Sequence, residues 1–183
     1  MLAVDEIEDN PQAAAFCEAF MRAAIEKRML LGRNIYAEGI ADLVEIGSFI
    51  DDYTDDAEFF GRPVIKSKDI PGDALVVSTL LGRPLAGEKR LEELGVRHLD
   101  YFSFYENSGL KLAPLRFWGR FKEEFSDNRE KFDWIESLLS DDESRKTYES
   151  IISFRLSGNL KYMSSFSDRE NYQYFEDFLD LSK

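Results

Sequence analysis

Apolar and polar positions along the first half of the chain form blocks that predict strands and helices in turn. Short apolar runs are typical of strands that are buried on both faces of a sheet. The runs are Arg28–Leu31, Ile46–Ile50, Arg62–Ile65, Ala74–Ser78 and Val96–Phe104. Pro63 favours an edge position or a strand start for the third of them.

Segments with helical spacing separate these runs. A first helix begins at Pro11 with Asn10 as its N-cap. Two more helices are predicted at Ile35–Glu45 and Leu85–Leu94. Strand and helix therefore alternate from about residue 28 to 104, which predicts an α/β fold with a small Rossmann-like parallel sheet flanked by helices.

The pattern changes to helices alone from about residue 114. Phe132, Ile135 and Leu139 recur at helical spacing, and Ser140 with Glu143 forms a capping-box pair for the next helix. A second such pair, Ser167 and Glu170, precedes an aromatic helical face. We therefore expect three parts: an N-terminal helix over residues 1–27, a Rossmann-like domain over 28–105, and an all-helical C-terminal connector over 106–183.

The charge of the chain narrows the choice of partners. The 183 residues carry a formal net charge of −13. A strongly acidic surface argues against a nucleic acid or an anionic membrane as partner. No apolar run reaches the ~20 residues that a membrane span needs. Cys17 is the single cysteine, which fits a reducing compartment, so we expect a cytoplasmic protein.

The candidate ligand-binding residues follow the predicted strands. Gly32, Arg33 and Asn34 form the first strand-to-helix turn, where a Rossmann unit faces its ligand crevice. Asp51 ends the second strand, where an acid accepts hydrogen bonds from ribose hydroxyls in dinucleotide enzymes. Ser78 ends the strongest strand and Arg83 follows it, so both lie at the carboxyl end of the sheet, beside the first turn if the strand order reverses there. The alternatives are a structural turn in which Asn34 caps the helix, and a solvated acidic turn at Asp51.

Other chemistry is not expected in this chain. The acidic loop from Asp51 to Asp56 lacks the central glycine and terminal glutamate of a calcium loop. One histidine, His98, and one cysteine do not make a Cys/His zinc site, so no metal is predicted. We assign His98 to packing within the last strand. No serine–histidine–acid triad can be assembled, and no catalytic residue is predicted.

Arg155 projects from an otherwise apolar helical segment and needs a partner if it is buried. That partner lies either in another domain, which the arginine would then help to dock, or within this chain. Tyr174 and Phe175 belong to an aromatic-rich C-terminal segment that either forms a docking surface or packs back on the chain's own helices. A docking surface would also permit homo-oligomers.

Two groups of segments resemble parts of FkbM-family methyltransferases. The first is similar to the Rossmann-like domain that precedes some FkbM-type catalytic domains, and to N-terminal domains of nucleotide-sugar-linked acyltransferases. It comprises residues 32–38, 48–54, 61–65 and 70–78. The second resembles the stretch that precedes the S-adenosylmethionine-binding domain. It comprises Ser144, Phe154-Arg155-Leu156, Gly158 and Gln173-Tyr174-Phe175.

The resemblance implies the N-terminal, pre-catalytic region of an S-adenosylmethionine-dependent O-methyltransferase. On this interpretation the cofactor motif would follow Lys183, this chain holds no cofactor, and its partner is a C-terminal methyltransferase domain. The expected function is a non-catalytic module for substrate recognition or assembly. The alternative is a free-standing domain that binds a nucleotide or sugar nucleotide, or that serves assembly.

Overall fold

The computed structural model of the protein describes residues 10–115 and 119–164. The strands are Arg28–Leu31 (β1), Ser48–Ile50 (β2), Glu58–Phe59 (β3), Arg62–Ile65 (β4), Leu75–Ser78 (β5) and Arg97–Asp100 (β6). The helices are Pro11–Arg22 (α1), Ile35–Ala41 (α2), Pro84–Glu93 (α3), Tyr101–Asn107 (α4), Phe121–Asp127 (α5), Arg129–Leu138 (α6) and Asp142–Ser157 (α7). Short 3₁₀ helices lie at Ile25–Lys27, Ser67–Asp69 and Leu160–Met163.

The strands form one sheet with the order β3-β4-β2-β1-β5-β6. All neighbouring pairs are parallel except β3 and β4. The chain moves outward from β1 to β2 and β4, then returns to β5 on the other side of β1. This reversal of strand order is the switch point of an open α/β sheet. It confirms the predicted α/β class with a Rossmann-like parallel sheet.

Both faces of the sheet are covered, which explains the unbroken apolar runs. Leu30, Phe49 and Val77 point to the larger core, which also contains α1 and α4. Met29 and Val76 point to the opposite core, where α3 packs. Full burial of one such side chain stabilises the fold by about 1.5–3 kcal/mol.

The last predicted strand is wrong in its second half. β6 ends at Asp100, and Tyr101–Asn107 forms α4 instead of continuing the strand to Phe104. The Asp100 carboxylate accepts hydrogen bonds from the amides of Phe102 and Ser103 at 2.8 and 3.0 Å, and so caps the helix. The division expected at residue 105 therefore falls inside a helix.

The N-terminal helix is part of the main core. Phe20 is fully buried and meets the ring of Phe104 edge-on, with 5.5 Å between ring centroids. The Arg28 guanidinium donates to the carbonyls of Met21 and Ala23 at 2.8 and 2.6 Å. A cation at the C-terminal end of a helix satisfies carbonyls that have no partner inside the helix. β1 is therefore joined to the end of α1.

The hairpin of β3 and β4 was not predicted. Phe60 and Gly61 form its turn, with φ angles of 51° and 69°. Phe59 at the end of β3 contacts the ring of Phe49 edge-on at 4.9 Å between centroids. The hairpin thus covers part of the larger core at the β2 side of the sheet.

Beyond the sheet, the described residues 119–164 are helical, as predicted. Phe125 of α5 forms a small core with Ile152 and Leu156 of α7, and Phe132 of α6 packs against it. The ring of Phe102 meets that of Phe154 edge-on at 5.0 Å and joins this part to the main core. No helix in the described ranges has the length and apolar character to cross a bilayer.

The start of α7 lies one residue later than the capping pair predicted. Asp141, rather than Ser140, is the N-cap, and its carboxylate accepts a hydrogen bond from the Ser144 amide at 2.7 Å. The helix ends at Ser157, and Gly158 caps it with φ 69°. The second pair, Ser167 and Glu170, lies outside the described residues.

Candidate functional site

The turn after β1 lies at the switch point of the sheet and is closely packed. Gly32 has φ 106°, which favours glycine. A Cβ at this position would lie 2.8 Å from Thr79 Oγ1 and 3.1 Å from a methyl group of Leu80. Gly32 therefore allows the first turn to pass directly against the turn that follows β5.

Asn34 links these two turns. Its Oδ1 accepts hydrogen bonds from the amides of Tyr36 and Ala37 at 3.0 and 3.2 Å, and caps α2. Its Nδ2 donates to the carbonyl of Thr79 at 2.9 Å. The structure thus bears out the capping role that we kept as an alternative for Asn34. It also means that two of the helix's N-terminal amides are already bonded within the protein.

Arg33 is held by two carboxylates. Its Nε donates to Asp51 and its Nη1 donates to Asp56, both at 2.8 Å. The guanidinium also lies over the ring of Phe59, 5.4 Å from the centroid. The hydrogen bonds to Asp51 and then Asp56 raise the pKa of Arg33, so its charge is fixed. The sequence did not reveal that this cation is already neutralised.

The two aspartates after β2 have separate structural roles. Asp51 accepts from Arg33 and also from the amide of Tyr53, at 2.8 Å. Asp52 accepts from the amide and the hydroxyl of Ser67. Although burial of Asp52 opposes its ionisation, the Ser67 hydrogen bonds and nearby cations lower its pKa. The acidic turn is therefore organised by hydrogen bonds rather than merely solvated.

Ser78 and Arg83 stand apart from these contacts. Ser78 is buried, and its hydroxyl has no hydrogen-bond partner within residues 10–115 and 119–164. It lies beneath α3, where a Cβ on Gly87 would approach its oxygen to 2.7 Å. Arg83 is exposed and precedes α3 without a side-chain capping bond. The structure thus brings Gly32, Asn34 and Thr79 together and pairs Arg33 with Asp51. Ligand binding at the predicted residues stays a prediction.

The predicted docking residues are only partly described. The Arg155 guanidinium lies over the ring of Phe121, 4.4 Å from its centroid. Burial lowers the pKa of Arg155. This ring contact lies within the chain, and a docking role for Arg155 stays a prediction. Tyr174 and Phe175 lie outside the described residues.

A cleft that the sequence did not indicate lies beside the edge strand β6. Its volume is about 500 Å³. Polar and charged side chains dominate its lining, among them Glu88, Arg97, His98, Asp100 and Lys161. Burial raises the pKa of Asp100, whose carboxylate also caps α4. The sequence does show two glutamates one helical turn apart, Glu88 and Glu92, and a histidine in the next strand. It does not show that these side chains meet, because that depends on how α3 packs on β6.

Potential metal ligands also meet at this cleft. Glu88, Glu92 and His98 each offer one ligand atom, and these atoms all lie within 4.8 Å of one another. The sequence predicted no metal site because it contains only one histidine and one cysteine. Two carboxylates with one imidazole form a different ligand set, which that argument did not consider.

Comparison with known proteins finds a similar solved structure. The crystal structure of methyltransferase FkbM from Methylobacillus flagellatus KT matches with a TM-score of 0.58 and 21% sequence identity, over 88% of this chain and 47% of that chain. No protein-family model matches the chain, and no curated protein matches it. The chain therefore shares the fold of the matched part of that structure and spans about half of its length.

Proposed function

We propose that this chain is a non-catalytic N-terminal module of an FkbM-like, S-adenosylmethionine-dependent O-methyltransferase, where it serves substrate recognition or assembly. The observation that carries the proposal is the likeness to the FkbM methyltransferase structure, at a TM-score of 0.58 over 88% of this chain. The matched region makes up 47% of the other chain. This partial coverage is what we expect if a separate domain carries the catalytic site.

The geometry at the switch point supports a non-catalytic role. A dinucleotide in a Rossmann-like crevice places its pyrophosphate on free helix N-terminal amides and its ribose on an acid at the end of the second strand. Here the Asn34 side chain accepts from two of those amides. Asp51, the acid in question, is bonded to Arg33 and to the Tyr53 amide. Because these groups are already bonded within the chain, we assign them no part in cofactor binding and no step of methyl transfer.

The surface of α6 supports the assembly role. Trp134 and Leu138 lie one turn apart on this helix and are 62% and 61% exposed. Ile135, the residue that follows Trp134 in the same helix, is 39% exposed. Large apolar side chains grouped on one surface are a common feature of protein–protein contacts. A methyltransferase domain or a second copy of the chain is the proposed partner.

Equilibrium dialysis with labelled S-adenosylmethionine tests the non-catalytic assignment. The purified chain should show no saturable binding, and the Asp51→Asn variant should behave in the same way. Saturable binding by the wild-type chain at micromolar cofactor, weakened by Asp51→Asn, would overturn the assignment. It would mean that the Arg33–Asp51 contact opens to admit the cofactor.

The reversal of strand order between β1 and β5 favours a second candidate, a nucleotide- or sugar-nucleotide-binding domain. A phosphate group would have to compete with Asp51 and Asp56 for Arg33. A thermal-shift screen of nucleotides and sugar nucleotides tests this candidate. A ligand that raises the unfolding temperature of the wild-type chain but not of Arg33→Ala would support it, and the lack of any shift would count against it.

A further inference from the structure

Three side chains with metal-ligand chemistry converge where α3 packs on β6. Glu88 and Glu92 lie four residues apart on α3, and residues at this spacing share one face of a helix. His98 lies in β6, where it is paired in register with Val76 of β5. One ligand atom from each of the three lies within 4.8 Å of the other two.

The imidazole of His98 is oriented by the main chain. Its Nδ1 lies 2.7 Å from the carbonyl oxygen of Val96. Because a carbonyl oxygen can only accept a hydrogen bond, Nδ1 carries the proton and donates it. Nε2 is then the nitrogen with a lone pair available for a ligand. Histidines that bind metals commonly have their other ring nitrogen fixed by a carbonyl in this way.

The two glutamates place like charges close together. Glu88 is half-buried and Glu92 is exposed, so the first of the two carboxylates is partly removed from solvent. None of the ion pairs in the described part of the chain involves Glu88 or Glu92. Like charges at this spacing on a helix are destabilising. A bound cation would relieve that repulsion.

The cluster borders open space. Glu88 and His98 both line the cleft of about 500 Å³ beside β6. Three protein ligands leave a position of a tetrahedral ion open for water or another small ligand. The cleft would supply the room for that fourth ligand.

We propose that Glu88, Glu92 and His98 bind one divalent transition-metal ion of the Zn²⁺ type, with an open coordination position facing this cleft. One imidazole with two carboxylates suits zinc or manganese better than calcium, which takes oxygen ligands alone. Zinc bonds of about 2.0–2.2 Å would bring the ligand atoms to about 3.3 Å from one another. Glu92 is exposed, so a change in its side-chain rotamer can close the difference.

Nuclear magnetic resonance of the imidazole ring gives the most direct test. His98 is the only histidine in the sequence, so its ring nitrogens can be assigned without ambiguity. Addition of one equivalent of Zn²⁺ to the metal-stripped chain should shift the Nε2 resonance strongly, while Nδ1 stays protonated. Ring resonances that do not change in excess Zn²⁺ would overturn the proposal.

Calorimetric titration with Zn²⁺ then tests the carboxylates. Glu88→Gln and Glu92→Gln should each weaken binding by at least about tenfold. Glu93→Gln is the matched control, because it makes the same charge change on the same helix at an exposed position outside the cluster. Equal losses in all three variants would mean diffuse attraction to an acidic surface and would overturn the site. Because Glu92 is exposed, we expect Glu92→Gln to fold. Its comparison with Glu93→Gln therefore still tests the site if Glu88→Gln fails to fold.

Discussion

The side-chain amide of Asn34 donates a hydrogen bond to the main-chain carbonyl of Thr79 across 2.9 Å. The bond connects the two turns between which the strand order of the sheet reverses. The same side chain caps α2 through its oxygen. One residue therefore fixes both the start of a helix and the separation of the two turns.

Substitutions at Asn34 should separate these two effects. Serine can still cap a helix, but it is too short to reach Thr79. We expect Asn34→Ser to lower the free energy of unfolding by about 1 kcal/mol, the contribution of a typical hydrogen bond. Asn34→Ala also loses the cap and should cost about 1 kcal/mol more. Urea unfolding followed by circular dichroism measures both. If Asn34→Ser is as stable as the wild type, the Thr79 bond contributes nothing.

Gly32 should not tolerate a side chain. Alanine would have to adopt φ 106°, with its Cβ 2.8 Å from Thr79 Oγ1. That hydroxyl donates to the Leu31 carbonyl at 2.8 Å, so moving it away breaks a buried hydrogen bond. We expect Gly32→Ala to destabilise the fold by about 1–3 kcal/mol.

Gly39 provides the matched control for this substitution. It lies in α2, and a Cβ there would have no atom within 4 Å. Gly39→Ala should therefore stabilise the protein by about 0.5–1 kcal/mol, since alanine loses less entropy in a helix. Equal effects of the two alanines in urea unfolding would contradict the packing argument at Gly32.

The single thiol should be unreactive in the folded protein. Cys17 is 3% exposed, and burial, with a contribution from the charge of Asp100, raises its pKa to about 12. The thiolate is the nucleophile in reactions with disulfide reagents. At pH 8 a chromogenic disulfide reagent should release almost no product from the native chain and one equivalent after unfolding in urea. Rapid native reaction would show that α1 opens readily.

Asp52 should contribute to stability only when it is ionised. Its pKa in the folded state lies below the ordinary value of 3.8. The contribution of Asp52 to stability is therefore fully present above the unfolded-state pKa, and it is lost as the pH falls through the lower folded-state pKa. Asparagine stays neutral at every pH. We expect the free energy of unfolding of Asp52→Asn to fall less steeply than that of the wild type between about pH 5 and pH 3. Parallel curves in urea titrations across this range would contradict the assignment.

The centre of the sheet could be predicted because β1, β2 and β5 are buried on both faces. The run at Leu75–Ser78 has no polar interruption until its last residue, and every residue in it is buried. The segment Tyr101–Phe104 was wrongly predicted to be strand, because an aromatic and apolar run directly after a strand resembles the continuation of that strand. The decisive signal was Asp100, a helix-capping residue whose role depends on the two amides that it accepts from.

The candidate site was harder to predict because its contacts join distant segments. Gly32 and Asn34 were identified from their position after a strand, yet their partner Thr79 lies 45 or more residues away. The ion pairs of Arg33 with Asp51 and Asp56 were not predicted either. The cluster with His98 was missed, because periodicity places Glu88 and Glu92 on one face of a helix but does not show which strand that face meets.

Self-association through α6 follows from the proposed assembly role. Replacing both Trp134 and Leu138 by glutamine should shift the chain toward the monomer in sedimentation velocity, with little change in its unfolding temperature. Tyr53→Gln is the control, because Tyr53 is a fully exposed aromatic residue in the acidic loop after β2. A wild-type chain that is monomeric at every concentration would rule out self-association through this surface and leave a separate domain as its partner.

The bonds from Arg28 to the end of α1 bear on how the molecule opens. Separating α1 from the sheet would leave the guanidinium without the Met21 and Ala23 carbonyls, and would expose the Phe20 ring together with the face of Phe104 that it covers. Local fraying is therefore unfavourable at this junction, although it lies near the start of the described chain. Helix and strand should open as one cooperative unit, so the amides of α1 share the slow hydrogen exchange of the central strands.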